Sequence, residues 1–361
     1  MTPEIPSALR LEPGELPTEL PRTVGEIAPP LHPSESEPGP AEPTTLFLTV
    51  DVEDSYFDRP ILMTGEGIGR EFGVYGILDA LEAHAMRGTF FVNVYERDRQ
   101  PAGVVEGVVR DIAGRGHEVG LHCHPSGSLD FYRRPLFRLP KAAQVDVLRW
   151  GADLIAEWTG EPPTSFRGGG YAVNDDTFVA LEEVGIAIDS SCFFPSPNNH
   201  NTQLTVNAVG ERSGRVEVPV TTVLRANGNG GLEARKLDID WLSVDQLGRA
   251  LDALVAHRVP FATFMMHSFS FIEKRTRMPD DPPSPDARFV SKVDSDRYVE
   301  VFGPKPSMRE AFAAFLNRVE SERWLEVRTL RDALPDLSQA SPSPDVTPVV
   351  AGPDLATSPP K

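Results

Sequence analysis

The chain has few cysteines and no long apolar run. Its 361 residues include two cysteines, Cys123 and Cys192, too few for a disulfide framework. It contains no stretch of 18 or more apolar residues, and its N-terminus lacks a basic region followed by an apolar one. These absences argue against a disulfide-rich fold and against membrane insertion, and they favour a cytoplasmic location.

Positive charge is also scarce. The formal net charge is −18, from 35 lysines and arginines against 53 aspartates and glutamates. A nucleic acid backbone or an anionic membrane surface would repel such a chain. We therefore expect neither of them as a partner.

Proline is concentrated at the two ends of the chain. Residues 1–44 hold 11 of the 35 prolines, together with eight glutamates and only two arginines. The segment 338–361 has a similar Pro-rich and Ser-rich character. Segments this polar bury too little apolar surface to offset the entropy of ordering. The sequence therefore predicts disordered tails over 1–44 and 338–361, around one catalytic domain over 45–337.

Between the tails, short β-branched or aromatic runs alternate with segments of helical spacing. This alternation is typical of an α/β fold with a mainly parallel sheet, and the length suits a single barrel. Strands are predicted over 45–51, 88–93, 118–124, 164–167, 186–190, 215–220, 260–267 and 324–328. Helices are predicted over 73–85 and 141–158, and after capping boxes at Ser243 and Ser307. The stretch 268–306 is expected to be a long irregular excursion.

Polar residues follow the apolar parts of these strands at their C-terminal ends. They are Asp51, Asn93, His122, His124, Arg167, Asp189 and His267. In a parallel barrel all these ends lie on one face, where active sites are built. The sequence therefore predicts one pocket lined by six strand ends.

A metal site is expected within this pocket. His122 and His124 are two residues apart, so they emerge from the same face of an extended strand. Zinc and similar divalent ions take histidine nitrogen and carboxylate oxygen as ligands. Asp51 and Glu53 share a face by strand parity, whereas Asp54 joins them only if the chain turns after Glu53.

Three further residues are suited to acid–base chemistry. His267 follows a buried strand and is a natural general acid. Asp189 is suited to orienting that imidazole and stabilising its charge. Arg167 precedes three glycines and, paired with a carboxylate, would keep that carboxylate ionised for use as a base.

Five motifs in this order resemble the polysaccharide deacetylase family, also described as NodB-homology or carbohydrate esterase family 4 proteins. They read LTVDVED, GHEVGLHCHP, SFRGGGY, GIAIDSS and FMMHS, and the strand GTFFVN follows the first of them. The likeness covers about residues 45–335. It implies a distorted (β/α) barrel with seven or eight strands, and a metal-dependent hydrolase that removes N- or O-acetyl groups from carbohydrates.

The resemblance also implies roles for individual residues. Asp51 matches the general base, Arg167 the arginine that tethers it, His267 the acid and Asp189 the aspartate that supports the acid. The metal, with zinc expected and cobalt, iron or nickel as alternatives, would be bound by the following residues: His122, His124, and Glu53 or Asp54. Tyr171 would offer its backbone amide to the oxyanion, and Asn93 belongs to the same substrate-facing group.

The chain departs from the family pattern at three points. Its histidines are spaced H-x-H, where the commoner second motif is H-x-x-x-H. The first motif reads D-V-E-D, which leaves Glu53 and Asp54 as alternative ligands. The tryptophan common near the fourth motif is missing, so Phe193, Phe194 or Trp241 is expected to form the sugar-stacking wall. Alternative functions are hydrolysis of a non-sugar amide, or carbohydrate binding without turnover.

Overall fold

The computed structural model describes nine segments of the chain. These are residues 43–54, 59–124, 135–194, 196–200, 206–226, 232–277, 289–291, 299–340 and 349–350. The predicted tails, apart from residues at their inner ends and the pair 349–350, lie outside the described residues, as does segment 125–134, which begins with the last residue of the second motif. The domain limits therefore stay a prediction.

The described residues form an alternating series of strands and helices. The strands are β1 (Thr44–Val52), β2 (Thr89–Asn93), β3 (Glu118–Cys123), β4 (Ser165–Gly168), β5 (Ile188–Asp189), β6 (Gly210–Arg212), β7 (Arg215–Glu217), β8 (Thr222–Ala226), β9 (Leu232–Lys236), β10 (Phe261–His267), β11 (Ile272–Arg277), β12 (Phe289–Ser291), β13 (Val299–Pro304), β14 (Leu325–Arg328) and β15 (Val349–Val350). The α-helices are α1 (Ile61–Thr64), α2 (Val74–Ala83), α3 (Val104–Gly114), α4 (Lys141–Thr159), α5 (Asp175–Val184), α6 (Val244–Ala256), α7 (Pro306–Ser321) and α8 (Leu330–Leu337).

A parallel sheet organises the molecule. Its strands run in the order β10-β1-β2-β3-β4-β5-β7-β6, and β14 also pairs with β1. All of these pairings are parallel except that of β6 with β7. The predicted α/β class and distorted barrel are confirmed, and the parallel strands bring their C-terminal ends to one side of the sheet.

Strand β1 shows how sequence parity builds the barrel. Its nine residues are all buried. Leu48 and Val50 belong to the large apolar core that includes residues of the surrounding helices, whereas Phe47 belongs to a second cluster together with Phe91 of β2. Because alternate residues of a strand face opposite sides, Asp51 shares the face of Phe47. Asp51 therefore ends the strand on the side of this second cluster.

Helix α8 contributes to the second cluster, which contains Phe47 and Phe91. Its Leu330, Ala333 and Leu337 are spaced at i, i+3 and i+7, and all three are buried beside Phe47 and Phe91. Helix α8 therefore shares this cluster with the core residues of β1 and β2.

The two predicted capping boxes had different outcomes. The Ser243 hydroxyl accepts a hydrogen bond from the Gln246 N–H at the start of α6, and the Ser243 backbone N–H donates one to Gln246 Oε1, which confirms the first. The second prediction was wrong, since α7 begins at Pro306 and its N-cap, Lys305, makes no side-chain cap. Proline is favoured in the first helical turn because its missing N–H would have no helical partner there.

The stretch 268–306 contains regular structure that the sequence did not indicate. Strands β11, β12 and β13 form an antiparallel sheet in the order β11-β13-β12. The expectation of an irregular excursion was therefore wrong for these strands. Turn-forming stretches such as MPDDPPSPD can be recognised locally, whereas the pairing of the chain segments on either side of them cannot. Residues 278–288 and 292–298 lie outside the described part.

Other predictions concern burial and membranes. Cys123 and Cys192 are free thiols and both are buried, as expected for a chain without a disulfide framework. Within the described segments, no helix has both the length and the apolar character required to cross a membrane. The cytoplasmic location stays a prediction.

Candidate metal centre and active site

The C-terminal ends of β1, β3, β4 and β10 bring the predicted site residues together. Asp51 lies opposite His267 in the β1–β10 register. His122 lies between Asn93 and Arg167 in the registers of β3 with its two neighbours. The pattern of polar residues at strand ends thus predicted a real cluster.

Glu53, His122 and His124 form a compact group of three possible metal ligands. Their ligand atoms all lie within 4.8 Å of one another. His124 Nε2 is 2.7 Å and His122 Nε2 3.7 Å from Glu53 Oε2, and the two imidazole rings are nearly perpendicular. Two imidazoles and one carboxylate are a donor set that suits zinc and leaves a position for water. The described residues therefore fit a divalent metal despite the H-x-H spacing.

The second nitrogen of His122 is held by the backbone. His122 Nδ1 donates a hydrogen bond to the Arg167 carbonyl oxygen at 2.9 Å, so the proton must lie on Nδ1. Burial lowers the pKa of His122 to about 4, which keeps the ring neutral at pH 7. Nε2 therefore presents its lone pair towards Glu53, as a metal ligand requires.

Burial raises the pKa of Glu53, but the neighbouring His124 and His122 outweigh it and hold that pKa well below its usual range. The carboxylate is therefore ionised at neutral pH. Its backbone is fixed by Ser268, whose Oγ donates to the Glu53 carbonyl oxygen at 3.2 Å. Ser268 is the last residue of the fifth motif, FMMHS, but this role was not predicted for it.

Asp54 lies in a different environment from Glu53. Its Oδ2 accepts a 2.6 Å hydrogen bond from the Leu62 N–H of α1. Its own N–H donates to both carboxylate oxygens of Glu96, at 2.9 and 2.8 Å. Burial raises the pKa of Asp54 to about 8. Between the two alternatives that the sequence left open, the geometry favours Glu53 as the ligand.

Asn93 takes part in this supporting network. Its Nδ2 donates to Glu96 Oε1 at 2.9 Å, so the side chain helps to hold the carboxylate that binds Asp54. The structure thus shows a supporting contact for Asn93, and its expected contact with substrate stays a prediction.

Arg167 is fully buried and binds Asp51 from the inside of the barrel. Its Nη1 donates at 2.9 Å to Asp51 Oδ1 and to Thr49 Oγ1. Its Nε and Nη2 donate to the carbonyl oxygen and the hydroxyl of Ser190, and its guanidinium lies 4.3 Å from the centre of the Phe91 ring. Every part of the guanidinium is therefore engaged.

The electrostatic effect on Asp51 follows from this contact. Burial raises the pKa of Asp51, but Arg167 and, to a smaller degree, His122 outweigh it and hold the pKa below its usual value. The carboxylate is therefore ionised at neutral pH although it is almost completely buried. Its Oδ2 lies 4.0 Å from His122 Nε2, which places a base beside the three ligands.

Gly169 in the third motif makes room for the imidazole of His124. A Cβ atom on Gly169 would lie 2.2 Å from the His124 ring, a distance that no real contact tolerates. The backbone just after β4 can pass this close to the imidazole only because position 169 has no side chain.

Asp189 does not have the partner expected of it. Its carboxylate accepts hydrogen bonds from the Ser191 hydroxyl at 2.6 Å and the Ser191 N–H at 3.1 Å, and it also pairs with Glu217. No contact joins it to His267 among the described residues, and the four strands β1 to β4 lie between β5 and β10 along the sheet path. The expected support of His267 by Asp189 is therefore corrected.

A different carboxylate is linked to His267. The backbone N–H of His267 donates to Ser270 Oγ at 3.0 Å, that hydroxyl donates to Asp240 Oδ2 at 2.5 Å, and the charge of Asp240 also interacts with the His267 side chain. The imidazole stacks on Phe269, with 4.7 Å between ring centres. Asp240 lies in the connection after β9 and belongs to none of the five motifs, so it was not predicted.

Aromatic side chains lie beside the charged side chains of the candidate site. Phe193 contacts Tyr171 and Trp241, with ring centres 5.3 and 6.1 Å apart. Trp241 is 37% exposed, and the Lys236 ammonium lies 4.8 Å from its ring centre. Phe193 and Trp241, two of the three predicted wall residues, therefore do come together.

Comparison with known proteins agrees with this architecture. The family described as polysaccharide deacetylase matches residues 43–188, which include Asp51, Glu53, His122, His124 and Arg167. The predicted resemblance to this family is confirmed. The matched segment ends before Asp189 and before β10, so His267 lies outside it. No curated protein matches the chain in sequence.

Solved structures share the fold of this deacetylase-like chain. A Mycobacterium smegmatis protein assigned as a polysaccharide deacetylase has a TM-score of 0.52 and 19% identity over 90% of this chain and 100% of its own. A 4-alpha-glucanotransferase from Thermococcus litoralis has a TM-score of 0.51 and 12% identity over 86% of this chain and 42% of its own. These two proteins have different named activities and a similar fold, so the reaction of this chain has to be inferred from its site.

The geometry separates the roles of Glu53 and Asp54. The change Glu53→Gln should weaken zinc binding by more than the roughly 10- to 100-fold that loss of an outer partner costs, because it removes a charged ligand. The matched change Asp54→Asn should leave zinc affinity within about 10-fold of the original, because Asn retains an oxygen for the Leu62 N–H. Competition with a chromogenic chelator measures both constants. Loss of zinc only in Asp54→Asn would contradict the assignment.

Proposed function

We propose that the protein is a metal-dependent hydrolase that removes acetyl groups from an acetylated amino sugar or polysaccharide. The family match supports the general class of deacetylating hydrolases. The observation that carries the finer proposal is one group of buried side chains, namely the carboxylate of Asp51, held by Arg167, beside the ligand set of Glu53, His122 and His124.

The ligand set would hold one divalent ion, with zinc expected. Such an ion supplies Lewis acidity, which polarises a carbonyl group and lowers the pKa of water. Glu53, His122 and His124 offer the donor atoms for it. The second hydrogen bond of His122, to the Arg167 carbonyl oxygen, keeps its ring in the required tautomer.

Asp51 is the proposed general base. It is ionised at neutral pH and nearly dry, so it is suited to accept the proton of an attacking water. Its Oδ1 is occupied by Arg167, which leaves Oδ2, the oxygen nearer to His122, for that proton. The Arg167 contact thus both maintains the charge and selects the reactive oxygen.

His267 is the proposed general acid, which protonates the departing amine or alcohol. It lies directly opposite Asp51 on the neighbouring strand, so a scissile bond placed between them would meet a base on one side and an acid on the other. The backbone N–H of Tyr171 is the proposed donor to the oxyanion. The exposed face of Trp241, with Phe193 against it, is the proposed surface for a sugar ring.

The base assignment is tested by Asp51→Asn. This change should lower the rate of acetate release from oligomers of N-acetylglucosamine by about 10²- to 10⁴-fold, the usual contribution of a positioned base. Zinc content should stay unchanged. Asp98→Asn, a matched change at an exposed carboxyl group, should leave the rate unaltered. A normal rate in Asp51→Asn would contradict the proposed function.

The pH dependence of kcat/KM tests the effect of Arg167 on the pKa of Asp51. In Arg167→Gln the cation is lost while burial remains, so the pKa of Asp51 rises and the base is protonated up to a higher pH. The acidic limb of kcat/KM should move upwards by about 1 to 3 pH units. Arg167→Lys, which keeps a positive charge, should show a smaller displacement. Circular dichroism establishes that both variants are folded, and an unmoved limb in the Gln variant would contradict the account.

A further inference from the structure

Tyr171 has a backbone conformation that is unusual for its residue type. Its φ is 62°, in the left-handed region, and it follows Gly170, whose φ is 59°. A bulky residue in this region is strained and persists where the surrounding structure imposes it, most often at functional sites. This conformation sets the course of the chain at the end of the third motif, next to Gly169 and His124.

The Tyr171 hydroxyl is buried and makes no hydrogen bond within the described part of the chain. Buried tyrosine hydroxyls usually have a partner. Tyr95 illustrates the usual case, since its buried hydroxyl donates to the Val147 carbonyl oxygen at 2.9 Å. An unpartnered Oη is therefore an observation that needs a cause.

The surroundings of this hydroxyl lie inside the candidate active site. The Lys236 ammonium is 5.6 Å from the centre of the Tyr171 ring and 3.1 Å from Asp238 Oδ2. Burial raises the pKa of Tyr171, the positive charge of Lys236 opposes that effect, and the negative charge of Asp51 adds to it. The hydroxyl therefore retains its proton at neutral pH, within electrostatic reach of the proposed base.

These neighbours indicate what kind of atom the hydroxyl would bind. Lys236 can only donate hydrogen bonds, and its ammonium group also lies against Trp241, the proposed sugar surface. A substrate atom near both groups would receive hydrogen bonds from two donors, so it must be an acceptor. An oxygen of a carbohydrate satisfies this requirement.

We propose that Tyr171 Oη donates a hydrogen bond to an oxygen of the bound carbohydrate outside the acyl group, beside Lys236. The proposal rests on the proposed deacetylase function. The oxygen is not the acyl oxygen, because the phenol hydroxyl and the backbone N–H lie at opposite ends of Tyr171 and cannot both reach one atom. The residue would then contribute twice, with its backbone at the reacting carbonyl and its side chain at the sugar.

The test compares Tyr171→Phe with Tyr95→Phe, using the tetramer of N-acetylglucosamine as the probe. Tyr171→Phe should lower kcat/KM about 3- to 10-fold and weaken tetramer binding by a similar factor, the usual effect of one hydrogen bond. Its melting temperature should be unchanged or higher, because an unpartnered polar atom is removed. Tyr95→Phe should show the reverse pattern, with a lower melting temperature and an unchanged kcat/KM.

Wild-type kcat/KM and tetramer affinity in Tyr171→Phe would overturn the inference, and so would a melting temperature as low as that of Tyr95→Phe. If the original protein bound the tetramer without releasing acetate, the deacetylase function would fail, whereas the binding constants would still decide the role of Tyr171. If the original protein neither bound nor deacetylated the tetramer, both proposals would be overturned.

Discussion

The candidate site depends on Arg167 more than on any other residue. Its side chain holds Asp51, and its carbonyl oxygen receives the Nδ1 proton of His122. One residue thus sets both the charge of the proposed base and the tautomer of a proposed ligand. A buried guanidinium is stable only when its donors are satisfied, and here Thr49 and Ser190 complete its partners. This constraint ties β1, β3, β4 and the segment after β5 into one unit.

The close fit around Arg167 also explains the composition of the third motif. Gly169 makes room for the His124 ring, and Gly170 precedes the left-handed Tyr171. A larger residue at position 169 would displace the His124 imidazole. One at position 170 would strain the backbone next to the proposed oxyanion donor, the Tyr171 N–H. The run of glycines after the strand therefore serves the geometry of the site and does not form a phosphate-binding loop, in agreement with the absence of nucleotide motifs from the sequence.

Much of the fold was predictable because hydrophobic alternation and strand parity are local properties. Because the strands are parallel, the strand ends at Asp51, His122 and His267 lie at one end of the sheet. The choice between Glu53 and Asp54 was not predictable, because it depends on the hydrogen bonds that Asp54 makes with the Leu62 N–H and the Glu96 carboxylate, which no local pattern indicates. The pairing of Asp189 was mistaken for a similar reason, since the sequence does not reveal that Glu217 and Ser191 occupy its carboxylate. Lys236 and Asp240 lie on a hairpin and its exit, where no motif marks a functional residue.

The central claim is that the ligand set of Glu53, His122 and His124 binds a metal that the reaction requires. The most direct measurement is metal content by elemental analysis, followed by acetate release before and after chelation, for the original protein and the His122→Ala, His124→Ala double variant. The account predicts about one zinc or similar ion per chain, activity that disappears on chelation and returns with metal, and neither metal nor activity in the double variant. Acetate release that persists without metal, or full metal content in the double variant, would contradict it.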